Sequence, residues 1–145
     1  MNKIDIFENL SQDERAEIEK MLKQDKESIK NPEWFDENGM ALMRLDNMLK
    51  VASKYPNSCN ILENEATKEV FISIDSDNDG RFDRNITYIN GKKILETIDR
   101  DDDFNNELVL KYDNDGKIKS GAIDEDDDGQ EELIFSDKFK KFEIN

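Results

Sequence analysis

The sequence contains no histidine, and its 145 residues include a single cysteine, Cys59. Without histidine, the commonest general base and the commonest zinc ligand are both missing, so histidine-based catalytic triads and the usual zinc sites are excluded. Ser11 and Ser58 have no imidazole to activate them as nucleophiles, and a lone thiol excludes an internal disulfide. Positive charge is also scarce: 21 Lys and Arg face 36 Asp and Glu, for a formal net charge of −15. That balance argues against direct contact with nucleic acid and favours cations or a basic protein as partners. No run approaches the roughly 18 consecutive apolar residues of a membrane span, so membrane insertion is not expected. The start of the chain interleaves Asp5 and Glu8 with Ile4, Ile6 and Phe7, unlike a secretory signal. As given, the chain reads as cytoplasmic, or as extracellular if a signal has been removed.

The two prolines, Pro32 and Pro56, punctuate a helical region. Ser11 and Glu14 have the spacing of a capping box, and Ala16, Ile18, Met21, Leu22 and Ile29 follow at helical intervals. Asn31-Pro32 is expected to end this helix. A second stripe, with Met40, Met43, Leu45, Met48, Leu49, Val51 and Ala52, predicts a helix from Met40 to Tyr55 that Pro56 closes. Its methionines read as core filler, and Trp34 and Phe35 as a plug between helices and sheet.

From about Asn60 the pattern changes to short β-branched and aromatic runs separated by turn residues, which predicts an antiparallel meander of six or seven strands. Residues 70–74 form the clearest strand. Asn90-Gly91 and Asn114-Asp115-Gly116 are hairpin signals joining 85–89 to 92–98 and 108–112 to 117–123. Residues 133–137 and 139–144 would add the last strands. The expected class is therefore α+β: two N-terminal helices in 1–58, then a β-meander in 59–145, together one compact domain.

Repetition is the strongest signal. Acidic segments start at Asp75, Asp99 and Asp124, at intervals of 24 and 25 residues, each preceded by isoleucine (Ile74, Ile98, Ile123). Aligned, their acids fall at loop positions one, three, five and nine: Asp75, Asp77, Asp79 and Asp83; Asp99, Asp101, Asp103 and Glu107; Asp124, Asp126, Asp128 and Glu132. Calcium takes six to eight oxygens at about 2.3–2.6 Å, and alternate side chains of a tightly turned loop can converge on one such ion. Backbone carbonyls at position seven, on Arg81, Asn105 and Gln130, would add a ligand each. Gly80 and Gly129 supply the sharp turn at position six, where the second loop has Phe104. The three nine-residue segments carry −3, −4 and −7, so nearly all the net charge of −15 lies in them. Crowded carboxylates repel by about 1 kcal/mol per pair at 4 Å in water, and more near a protein surface.

The spacing Asp-x-Asp-x-Asp-Gly-x-x-Asp at 75–83 resembles the calcium loops between strands of integrin-type propeller repeats, and its first half resembles EF-hand and dockerin loops. The resemblance implies calcium and a loop geometry over about nine residues per copy. Position twelve, where an EF-hand places a bidentate Glu, holds Ile86, Leu110 and Phe135, so the β-hairpin version fits and helix-loop-helix does not. The function read from sequence is a non-enzymatic calcium-binding module for protein interaction, with up to three Asp-rich loops between strands. Its affinities are expected near the ~10⁻⁴–10⁻³ M of extracellular modules. The alternative is an acidic inhibitor or immunity-type protein that masks a basic nuclease or nucleic-acid-binding surface.

Overall fold

A computed structural model describes residues 5–27, 29–99, 107–123 and 133–135; the side chains of Asp25 and of 133–135 are not described. Helix α1 spans Gln12–Lys26. It opens on the capping box read from sequence: Ser11 N–H donates to Glu14 Oε1 at 2.9 Å and Glu14 N–H to Ser11 Oγ at 3.2 Å, which satisfies two otherwise orphaned groups. Ile18, Met21 and Leu22 form its buried face. A short 3-10 turn at Pro32–Trp34 follows, then helix α2 over Leu45–Lys54, which buries Met48, Val51 and Ala52.

Among the described residues seven strands form one antiparallel sheet in sequential order. They are β1 (Cys59–Asn64), β2 (Glu69–Ile74), β3 (Arg84–Ile89), β4 (Lys92–Ile98), β5 (Leu108–Tyr112), β6 (Ile118–Ile123) and β7 (Leu133–Phe135). Tight hairpins form where the sequence signals them, with Asn90 at φ +52°, Gly91 at +79° and Gly116 at +83°. The expected strand at 139–144 and the end of that at 133–137 lie outside the described residues.

Two apolar clusters hold the helical layer against the sheet. One joins Ile18, Met21 and Leu22 of α1, with Ile6 and Phe7, to Ile98, Leu108, Leu110, Ile118 and Ile123. The other joins Trp34, Met48, Val51 and Ala52 to Ile72, Ile74, Ile86 and Tyr88. Trp34 is thus the plug anticipated from sequence, and each fully buried side chain of this kind contributes about 1.5–3 kcal/mol.

The second helix starts five residues later than its apolar stripe implies. Asp36 folds 36–40 into a turn: its Oδ1 accepts the N–H groups of Asn38 at 2.8 Å and Met40 at 3.2 Å, and Gly39 takes φ +82°. Ala41 then bridges Phe35 in extended form, and Arg44 bridges Lys92. Met40 and Met43 reach the first cluster from this extended segment and not from a helix. Side-chain capture of the backbone by Asp36 wins here over helical periodicity.

The meander has a consequence for the acidic segments. The strand ends from which the acidic segments leave, Ile74, Ile98 and Ile123, lie at one end of the sheet, and the short hairpins lie at the other. These neighbouring strand ends are two strands apart, about 10 Å at ordinary strand spacing.

Candidate metal centre

The first acidic connection, 75–83, is fully described, and its fold follows from its residue types. Asp75 carries the turn: its Oδ1 accepts the Asp79 N–H at 3.2 Å and its Oδ2 the Gly80 N–H at 3.0 Å. Asp77 Oδ1 also takes the Asp79 N–H, at 3.3 Å. Asn78 and Gly80 occupy the left-handed region at φ +61° and +88°, which Asn tolerates and Gly adopts without penalty. Asp75 and Asp83 are buried, at 6% and 4% exposure, because each continues a strand at the sheet end. Their N–H groups are held by neighbouring backbone: Asp75 donates to Ser58 O at 2.8 Å, and Asp83 to Ile74 O at 2.9 Å.

These constraints bring together one carboxylate oxygen each of Asp75, Asp77 and Asp83, all within 4.8 Å of one another. Positions one, three and nine of the loop therefore converge as the spacing anticipates. Position five does not join them: Asp79 is exposed, and its Oδ1 accepts the Arg81 N–H at 2.8 Å. Arg81, whose carbonyl was the expected backbone ligand, is exposed beside it. The electrostatics match crowding. Burial, the hydrogen bond to Asp75 and the charges of Asp83 and Asp79 together push the Asp77 carboxyl up to about 6.

Ser76 is a site residue that sequence reading misses. Fully buried, it donates its N–H to Asp83 Oδ1 at 2.7 Å and its hydroxyl to Asp83 Oδ2, which orients that carboxylate. Position two holds Ser76, Arg100 and Glu125 in the three segments, so no repeated residue signals the role.

In the second connection the two ends are described. Asp99 and Glu107, positions one and nine, are buried at 9% and 3% exposure, as are their counterparts Asp75 and Asp83. The Asp99 N–H donates to the Asp83 carbonyl at 2.8 Å, so the two connections are joined through backbone, and the Glu107 N–H donates to Ile98 O at 2.8 Å. Asp101, Asp103 and Asn105 lie outside the described residues, as does the third set, Asp124, Asp126, Asp128, Gln130 and Glu132.

A second group of charged residues, unforeseen in the sequence, is buried in the sheet. Glu96, at 2% exposure, pairs through Oε2 with Arg84 Nη1 at 3.0 Å and through Oε1 with Lys93 Nζ at 2.6 Å. The Ala41 N–H donates to Glu96 Oε2 at 2.9 Å, Lys93 donates to the Ala41 carbonyl at 2.9 Å, and the Tyr112 hydroxyl reaches Glu96 Oε1 at 3.2 Å. Arg84 lies over the Phe35 ring and Lys93 over the Tyr112 ring, at 4.2 and 4.5 Å. Burial alone would raise the Glu96 carboxyl, but Lys93 and Arg84 outweigh it and hold it below the usual range. The same burial and the Glu96 charge push the Tyr112 hydroxyl well up. This group ties the 36–44 segment to the sheet, and its dense internal pairing gives it a structural role.

Among the described residues no helix is long and apolar enough to cross a membrane. No protein-family model matches the chain, and no curated protein matches it. Among solved structures it is similar to a crystal structure of an S. aureus TarM mutant in complex with Fondaparinux, alpha-GlcNAc-glycerol and UDP, at 12% identity and a TM-score of 0.39. That likeness covers 80% of this chain and 24% of the other, so this chain spans about a quarter of that protein's length, and a score this low carries no argument about function.

Proposed function

We propose that this chain is a calcium-binding module, and not an enzyme, whose Asp-rich connections take up the ion and stiffen one end of the sheet for contact with another protein. The observation that carries the reading is the convergence of Asp75, Asp77 and Asp83 within 4.8 Å at the one acidic connection described throughout. Oxygens on opposite sides of an ion bound at about 2.4 Å lie about 5 Å apart, so this set is close to a partial calcium shell. The donors are all oxygen, which suits a hard cation and excludes the thiolate and imidazole chemistry of zinc or copper. The raised pKa of Asp77 has crowding among its causes, and a divalent cation would reverse it.

The other two connections enter this reading by their spacing in the sequence, as further sites at the same sheet end. With a dissociation constant of ~10⁻⁴–10⁻³ M, calcium at about 10 mM stabilises the fold by about 1.4–2.7 kcal/mol per occupied site. A thermal melt in calcium and in chelator tests this: the melting temperature is expected to rise by about 5 °C or more with calcium. Coincident curves would sink the reading.

A further inference from the structure

The segment between α1 and the 3-10 turn meets the first acidic connection at two points. The Lys30 N–H donates to the Ser76 carbonyl at 2.7 Å, and Asn31 Nδ2 donates to Asn78 Oδ1 at 3.3 Å. Both acceptors are themselves fixed by the acidic turn. Ser76 gives its N–H and hydroxyl to the Asp83 carboxylate, so its carbonyl direction and the Asp83 side chain are set together. Asn78 sits at φ +61° between Asp77 and Asp79, inside the turn that Asp75 Oδ1 and Asp77 Oδ1 close by accepting the Asp79 N–H. Two chains therefore run outward from the converging carboxylates, one hydrogen-bonded through Ser76 to Lys30 and one along the backbone from Asp77 to Asn78 and across its side-chain hydrogen bond to Asn31.

Resting on the calcium reading above, we propose that loading of the 75–83 connection is transmitted through these two chains to residues 29–31, so that the ion regulates the order of the segment leading to Trp34. The sheet side is held by strand ladders whatever the state of the turn: β2 and β3 pair along six residues each. The 29–31 segment belongs to no strand or helix, and such segments open at lower free energy than ladders do. A ligand that holds Asp83 and Asp77 also holds Ser76 and Asn78, and so favours the closed segment over the open one. By reciprocity, loosening the segment weakens the ion.

Amide hydrogen exchange on the full chain, in calcium and in chelator, tests this beside a calorimetric calcium titration of the same sample. Calcium is expected to slow exchange of the Lys30 amide by roughly tenfold, and of the β1–β2 turn amides at the far end of the sheet hardly at all. Asn31→Ala, a change at a half-buried side chain that removes one of the two chains, is expected to keep a binding heat with affinity weakened by the same factor as the roughly threefold protection it loses. Calcium heat with an unchanged Lys30 rate would overturn the coupling and leave the calcium reading standing. Absence of heat would overturn both.

Discussion

Two carboxylate environments among the described residues are opposite in their surroundings. At Glu96 one carboxylate is gripped by Arg84, Lys93, a backbone N–H and a tyrosine hydroxyl, and its pKa falls despite complete burial. At the sheet end Asp75, Asp77 and Asp83 face one another, and the pKa of Asp77 rises to about 6. The first group is completed by the chain's own cations and belongs to the fold. The second brings like charges together, and in the proposed calcium reading a cation from outside completes it. Burial alone therefore does not predict the direction of a carboxylate's pKa here; the charges beside it do.

The largest break in that contrast is Glu96→Ala. It leaves Arg84 and Lys93 buried around an empty place and is expected to cost about 3–5 kcal/mol in urea unfolding, the same with or without calcium. Next comes removal of the ion: chelator is expected to lower stability by about 1.4–2.7 kcal/mol for each occupied site. Asp83→Asn should abolish the share of the 75–83 connection in that loss.

Gly80→Ala separates backbone from charge. Nothing lies within 4 Å of the added methyl, so the cost is that of φ +88° alone, about 1–2 kcal/mol, with every carboxylate retained. The smallest effect is expected from Asp77→Asn in chelator. Relief of like-charge contact should leave stability within about 1 kcal/mol of the parent, on the stabilising side.

Acidity gives the contrast a second axis. The folded Asp77 carboxyl titrates near 6, above its ordinary value of 3.8, so metal-free protein binds the proton more tightly when folded. Its contribution is fully present below the unfolded value and is lost as pH rises through about 6. Melts in chelator should show this decline between pH 4 and about 7, and Asp77→Asn should flatten it. In calcium the slope should oppose it, because the proton and the ion compete for the same oxygens.

Much of the architecture is legible in residue order. The Ser11–Glu14 cap, the Asn90-Gly91 and Gly116 turns and the strand sequence follow from short-range chemistry, and the structure forms them. The isoleucines that precede the three acidic segments, Ile74, Ile98 and Ile123, fall at one end of the sheet, because an up-and-down meander returns every second strand end to the same side. The start of α2 was not legible, since the Asp36 turn outcompetes an apolar stripe that periodicity alone would extend back to Met40.

The Glu96 group was hidden for a different reason. Arg84, Lys93 and Glu96 look like solvated strand residues until pairing is known. Register sets Ile86 opposite Glu96, and a bulge at Thr87/Tyr88 brings Tyr88 opposite Lys93. That irregularity turns Lys93 to the same buried side as Glu96, three residues on, which simple alternation forbids. At the candidate metal centre, spacing identified the converging acids, but it could not tell that Asp79 would turn back onto the Arg81 N–H.

The central claim is tested most directly by titrating calcium into metal-free protein at neutral pH in a calorimeter, with Asp77→Asn/Asp83→Asn measured beside the parent. The account predicts saturable binding in the ~10⁻⁴–10⁻³ M range, with at least one site lost in the double variant. A parent that yields only dilution heat up to tens of millimolar calcium, or a double variant that binds as many ions as the parent, would contradict it.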